Sequence, residues 1–239
     1  MKEKLSRSGK KAQIQISNSN WVNLMSFIDK MVGTITSPNN ETKKIAEQPM
    51  IEEAVMIIGV YAILNAIAAY ILSNKIIYII QGFDNTSMRS LMALSSIVAA
   101  LFATILIWLI GTGVIHLLSM AAGGEGKLYP QMLTVVGFSM LPLIFNGIIS
   151  IGIYSVIEPR VINISPSNPM ALNELYSSPS FMALALIGII IQAWTTIILY
   201  FSIHNAHKIS TNSSAIIAAI PLVISVILTA WGFRGMGIL

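Results

Sequence analysis

Five long stretches without a charged residue constrain this chain more than any other feature of its sequence. A bilayer core about 30 Å thick needs about 20 helical residues to cross it. A helix on the surface of a soluble protein would instead carry charges along one face. We therefore predict an all-α polytopic integral membrane protein with a bundle of five transmembrane helices. The uncharged stretches are 54–72, 91–118, 132–157, 181–203 and 215–233.

Basic residues are distributed unevenly around these stretches, and this predicts the orientation. Eight of the 14 Lys and Arg residues precede the first stretch, and Lys127 and Lys208 bring that side to ten, against four on the other. Basic flanks stay in the cytoplasm during insertion. We expect a cytoplasmic amino terminus and an outside carboxyl terminus, in the cell membrane of a prokaryote or the endoplasmic reticulum or Golgi of a eukaryote. The net charge of +4 then needs no nucleic-acid partner.

The sequence before the first stretch predicts a short cytoplasmic region in two parts. Residues 1–20 are polar, basic and aperiodic, which predicts a disordered tail. In 21–48, apolar residues from Trp21 onward recur at helical spacing, with Asp29 and Lys30 on the other face, and a short helix follows. The amphipathic helix lies either in the headgroup plane or against the bundle. The transmembrane domain then spans 49–239.

No catalytic constellation or cofactor motif is recognisable, so we predict a protein that is not an enzyme. Glu52 and Glu53 fall in the first turn of the first predicted helix, where the helix dipole favours carboxylates. Membrane proteases that use paired glutamates have an Arg after them, and here Ala54 follows. Membrane lipids are the expected contacts, and whether the chain associates with itself or with other chains stays open.

Three histidines lie on the predicted cytoplasmic side. His204 and His207 share one helix face, and His116 ends another helix that points the same way. Three imidazoles can bind zinc in a suitable geometry. The other interpretation is that they lie at headgroup level, and we predict no metal.

Three neutral polar side chains interrupt the apolar stretches: Asn65, Asn146 and Gln192. Ionisable residues at membrane depth are typical of carriers and pumps, and none occurs here. Amides can also join helices through hydrogen bonds, which is the interpretation that we favour. A small-solute carrier or channel that uses these amides is the alternative.

The middle of the chain combines a glycine-rich loop with a proline in the third stretch. Gly123, Gly124 and Gly126 permit a tight reversal between two helices. Pro142 removes a helical hydrogen bond and predicts a kink. Gly137 offers a small surface for close helix contact.

These motifs resemble those of the Yip-one family of Ypt- and Rab-GTPase-interacting membrane proteins. The resemblance rests on the glycine loop, on the run Val135, Gly137, Pro142 and Leu143, on the segment 37–49, and on the fourth stretch from Gln192 to His207. It covers about residues 37–233. It implies five spans and a cytoplasmic amino terminus.

In eukaryotic members, the resemblance also implies vesicle trafficking, membrane shaping and recruitment of prenylated Rab-type GTPases; prokaryotic members need not have these partners. We therefore predict a membrane scaffold or adaptor for a cytoplasmic partner. The carrier is the second hypothesis and a metal-dependent membrane enzyme the third.

Overall fold

The computed structural model describes residues 26–80, 85–164 and 178–235 of the chain. The predicted tail at 1–20 and the start of the predicted amphipathic helix lie outside these ranges. The described part is helical apart from two short strands and the connecting turns. The helices are α1 (26–36), α2 (Pro38–Glu47), α3 (Ile51–Lys75), α4 (Asn85–Ala121), α5 (Leu133–Ser139), α6 (Leu141–Val156), α7 (Pro179–His207) and α8 (Thr211–Gly235).

Helix boundaries follow local sequence signals. Pro38 and Pro179 occupy the first turn of their helices, where the missing N–H is not needed. Gly123, just after α4, has a φ of +86°, a conformation that costs glycine little. Lys208 ends α7 in the left-handed region with a φ of 56°.

Among the described residues, four helices are long and apolar enough to cross a membrane: α3, α4, α7 and α8. A fifth candidate is the segment 128–156, which is bent by 42° at Met140. The chain is thus a multi-pass membrane protein with four candidate spans, or five if the bent pair is one span.

The bend occurs where the sequence predicts a kink. Pro142 lies in the first turn of α6 and cannot donate a hydrogen bond to α5. The N–H of Met140 instead bonds to the Gly137 carbonyl at 3.2 Å, and that of Leu143 to the Met140 carbonyl at 2.9 Å. These tight turns separate the two helices.

Two strands pair in parallel at one end of the bundle. They are β1 (Ile76–Ile80) and β2 (Arg160–Ile164). The sequence predicts an all-α protein with no strands, and for these residues that prediction is wrong. Each segment is rich in β-branched residues, which favour strands, but single-segment apolarity does not reveal a partner 84 residues away.

The bundle has two ends. The strand end carries β1 and β2. The arm end carries α1, α2, the glycine loop at 122–127 and the α7–α8 turn. The main buried cluster lies toward the arm end around α5, whose residues from Thr134 to Ser139 are all buried. A Cβ on Gly137 would lie 2.6 Å from the Ala54 Cβ, so glycine permits α5 to contact α3 closely.

Candidate functional site: the arm face and the intramembrane cavities

An ion pair fixes α1 to the bundle. The Lys30 Nζ lies 2.7 and 2.9 Å from the two carboxylate oxygens of Glu53, and Glu53 is only 6% exposed. The Phe27 ring also meets the Phe138 ring edge-on, with 6.3 Å between centroids. Lys30, which the pattern assigns to the polar face of the amphipathic helix, thus contacts the bundle, because a buried carboxylate needs a countercharge.

Hydrogen bonds from two other segments hold α2. The Asn205 amide donates to the Thr42 hydroxyl at 2.9 Å and to the Asn39 carbonyl at 3.1 Å. The Gln131 amide donates to the Ala46 carbonyl at 2.9 Å. These bonds tie α2 to the end of α7 and to the wide turn Leu128–Met132.

A cavity of about 560 Å³ lies between α2 and the end of α7, and we call it the arm cleft. It is lined by Lys43, Ala46, Glu47, Gln131, His204, Asn205 and Lys208. Because α2 is tied at three positions, the cleft is formed in the isolated chain.

The glycine loop packs directly on His207. A Cβ on Gly124 would lie 2.5 Å from the His207 Nδ1 and 2.8 Å from the Ser119 carbonyl oxygen. A Cβ on Gly126 would lie 2.7 Å from the Ala206 carbonyl oxygen. The Glu125 N–H donates to the His207 carbonyl at 3.1 Å. Glycine is thus needed at both positions because a side chain would have no space. The sequence pattern had suggested turn conformation as the reason instead.

The bonds of His207 define its tautomer. The Gly126 N–H donates to the His207 Nδ1 at 3.2 Å, so Nδ1 carries no proton. The neutral ring therefore carries its proton on Nε2, which lies 3.2 Å from the His116 Nδ1. His207 donates and His116 accepts. The pair joins α4, the glycine loop and the end of α7 in one chain of hydrogen bonds.

His204 does not join this pair. Its Nδ1 lies 2.9 Å from the Ile209 carbonyl oxygen, so it donates to the α7–α8 turn, and its ring stacks on Tyr200. Within 26–80, 85–164 and 178–235, no three His, Cys, Asp or Glu side chains are grouped for a metal ion. His116 and His207 thus lie together, and His204 instead bonds to the α7–α8 turn.

The three intramembrane amides line a single cavity of about 360 Å³, which we call the polar cavity. It lies between α3, α4, α6, α7 and α8. Its polar lining consists of Tyr61, Asn65, Thr104, Asn146, Gln192, Ser225 and Thr229. The sequence singled out the three amides, but it gave no sign that they would face one space, since they come from three different helices.

The amides differ in their hydrogen bonds. The Asn65 amide donates to the Thr104 hydroxyl at 3.1 Å, and so joins α3 to α4. The Asn146 Oδ1 is buried and has no hydrogen-bond partner. A hydrogen bond between helices explains the polar side chain at Asn65. Among the residues that the structure describes, no such bond explains the buried side-chain carbonyl of Asn146.

Sequence comparison agrees with this architecture. A family model described as the Yip1 domain matches residues 32–232. The chain belongs to the Yip1 family. The glycine loop, the bent helix and the three amide-bearing helices α3, α6 and α7 all lie within the Yip1 domain, so the resemblance drawn from the motifs is confirmed.

An archaeal relative supports the assignment. An uncharacterized protein of Methanocaldococcus jannaschii is 31% identical over 124 residues, which cover 52% of this chain and 86% of the relative. It is consistent with a prokaryotic member of the Yip1 family. No solved structure matches the chain.

Proposed function

We propose that this Yip1-domain protein is a non-enzymatic membrane scaffold that holds a cytoplasmic protein partner at its arm face, which is the surface of α1, α2 and the arm cleft at the arm end of the bundle. The proposal rests on the arm cleft, because the hydrogen bonds that hold α2 give the cleft its shape before any partner binds. Preformed surfaces lose less conformational entropy on binding than flexible ones. The cleft combines the cationic Lys43 and Lys208 with the acidic Glu47, and so offers both charges to a protein surface.

The neighbouring helix α1 adds an apolar ridge. Ile28 and Val32 are one helical turn apart and are 43% and 55% exposed, on the side of α1 that does not carry Lys30. This ridge is suited to the membrane headgroup region beside the cleft. α1 then serves both predicted roles, with one side on the bundle and the other on the membrane.

The arm face belongs in the cytoplasm according to the charge distribution. The chain contains no cysteine, so single cysteines can be introduced without further changes. We expect Lys43→Cys to react with a membrane-impermeant maleimide only after cells are permeabilised, and Arg234→Cys at the strand end to react in intact cells. Reaction of both variants in intact cells, or of neither, would contradict a cytoplasmic arm face with an odd number of spans.

Partner binding is tested with the full chain in nanodiscs, used to capture proteins from an extract of the source cells. We expect a specific protein that is lost after deletion of 1–48 and after the double change Lys43→Glu and Lys208→Glu. Small GTPases are one class to look for, given the family. The matched control is Arg234→Glu, an exposed basic residue at the strand end. Capture that survives the cleft variant, or that fails with the intact chain, would refute the adaptor function.

A carrier of small neutral solutes is the second candidate, because all three intramembrane amides line the polar cavity. If this is the activity, Asn146→Ala should lose flux in proteoliposomes while the protein keeps its thermal stability. If the protein is a scaffold, neither the unchanged chain nor the Asn146→Ala variant should show flux.

A further inference from the structure

The polar cavity adjoins a second, apolar cavity of about 440 Å³ between α4, the bent helix pair, α7 and α8. Ile107, Met140, Leu143 and Gln192 line both spaces. Met140 is the residue at the helix bend, so the bend forms part of the common wall. Along α8, the apolar cavity is lined by Ile217, Ile220, Pro221 and Ile224, and the polar one by Ser225 and Thr229. The apolar cavity thus lies nearer the arm end.

Neither cavity has a charged lining residue in the described part of the chain. Burying an unpaired charge in a membrane interior is strongly unfavourable. Any occupant is therefore uncharged where it contacts these walls. This excludes phosphate, carboxylate and ammonium groups from the polar cavity.

Two buried polar atoms at these cavities have no hydrogen-bond partner in the part of the chain that the structure describes. The Asn146 Oδ1 lines the polar cavity, and the Thr195 Oγ1, in a side chain 4% exposed, lines the apolar one. Bulk water is absent from the bilayer core, so such atoms are satisfied only by protein or by a bound molecule. A hydroxyl group both donates and accepts hydrogen bonds, and it can donate to the Asn146 carbonyl.

The apolar cavity borders the lipid-facing surface between α4 and α8. Its lining residues Ile107 and Val114 on α4 are 65% and 48% exposed, and Ile224 on α8 is 51% exposed. A hydrocarbon chain can pass between these residues without leaving an apolar environment. The Asn146 Oδ1, by contrast, is fully buried.

We propose that the two cavities form one binding site for a neutral lipid that carries a free hydroxyl group. The hydroxyl lies in the polar cavity beside Asn146 and Gln192, and an acyl chain passes through the apolar cavity and out between α4 and α8. The site is independent of the arm cleft, so it stands or fails separately from the scaffold function.

The test uses the purified full chain in nanodiscs with a diacylglycerol that carries a diazirine in one acyl chain. A phosphatidic acid with the same chains is the matched charged probe. After illumination, mass spectrometry should find the diacylglycerol attached to α4 or α8 residues that line the apolar cavity. We expect the phosphatidic acid to label these residues about tenfold less, because its phosphate cannot enter an uncharged site.

Two variants block the head site by different means. Asn146→Leu removes the acceptor, and should reduce labelling about tenfold. Gly188→Val adds bulk beside Asn146, since a Cβ on Gly188 would lie 3.8 Å from the Asn146 Oδ1. The matched control is Gly59→Val, at a glycine whose Cβ would meet nothing within 4 Å and which lines neither cavity. Size-exclusion profiles show which variants remain folded.

Retained labelling in both blocking variants, or equal labelling by both lipids, would identify ordinary surface lipid and overturn the proposal. Displacement of the photolipid by glycerol alone would identify a water-soluble polyol as the ligand and overturn the lipid class. Loss in Asn146→Leu and Gly188→Val, with full labelling in Gly59→Val, supports it.

Discussion

The arm end and the strand end of the bundle are held together in different ways. At the arm end, one buried cluster draws residues from every helix between α2 and α8. Polar bonds cross it: Lys30 to Glu53, Asn205 to Thr42 and His116 to His207. At the strand end, a separate buried cluster of the described residues consists of Ile76, Ile162 and Phe181.

This difference has a physical origin in the membrane. Apolar helix surfaces gain little by leaving lipid for one another, so close packing and polar bonds must supply the specificity. The larger buried cluster and the buried polar bonds of Gly126 with His207 and of Ser202 with Val135 lie at the arm end, where α5 is buried from Thr134 to Ser139. We conclude that the arm end determines the relative positions of the helices, and that the strand end tolerates change. A fixed arm face suits a docking surface.

The largest expected contrast is between two phenylalanines, one in each cluster. Phe138 is fully buried in the large arm-end cluster, whereas Phe181 is 9% exposed and belongs to the small strand-end cluster. Phe138→Ala should lower the free energy of unfolding by about 3 kcal/mol through the cavity that it leaves. Phe181→Ala should lower it by about 1 kcal/mol, because neighbouring lipid can fill the space. Unfolding by SDS in mixed micelles measures both, and equal losses would remove the distinction between the ends.

Next in size is the difference between two Lys–Glu pairs within the arm. Lys30→Met leaves the Glu53 carboxylate buried and unpaired, and should cost about 2 kcal/mol, less than for a fully buried pair. The control is Lys44→Met, since Lys44 is 70% exposed and pairs with Glu41 at 2.9 Å. Such surface pairs contribute about 0.5 kcal/mol or less. The same SDS titration measures both variants. If adding Glu53→Met to Lys30→Met recovers none of the lost free energy of unfolding, the broken ion pair is not the cause of that loss.

Sequence periodicity and charge predicted the multi-pass membrane class, long apolar helices and the kink before Pro142. These features depend on residues near one another in the chain, which fix helix length and backbone bonding locally. The parallel pairing of β1 with β2 depends on contacts between distant segments, and so was not predicted. Glu53 shows the same limit, because its position suggested a dipole effect and its partner Lys30 lies 23 residues earlier.

The sequence identified individual residues of the candidate sites, but it did not predict how these residues come together. Asn65, Asn146 and Gln192 were recognised as unusual at membrane depth, but their common cavity depends on helix rotation, which apolar sequence does not specify. The three histidines were predicted to lie on one side of the membrane, as either a possible metal site or headgroup-level residues. The structure pairs His207 with His116 and with the glycine loop, and His204 bonds to the α7–α8 turn instead.

Helix approach at the arm end gives a smaller effect. Gly137→Ala places a methyl group 2.6 Å from the Ala54 Cβ, and both atoms belong to well-packed helices. We expect a loss of about 1–2 kcal/mol from overpacking. At Gly152 in α6, a Cβ meets nothing within 4 Å, so Gly152→Ala should gain about 0.5–1 kcal/mol from helix propensity. Thermal unfolding in detergent should show a lower midpoint temperature for Gly137→Ala and a higher one for Gly152→Ala. Changes of the same sign would mean that α3 and α5 are less closely packed than described.

The smallest effect is expected at Asn65, whose amide joins α3 to α4 through Thr104. Interhelical bonds of this kind contribute about 0.6 kcal/mol on average, so Asn65→Leu should lower stability by about that amount. Asn146→Leu removes an acceptor that has no partner among the described residues, and should leave the stability of the lipid-free protein unchanged or raise it. SDS titration of delipidated protein compares the two. If Asn146→Leu costs as much as Asn65→Leu, the Asn146 side chain supports the helices after all, and the carbonyl is not free for a ligand.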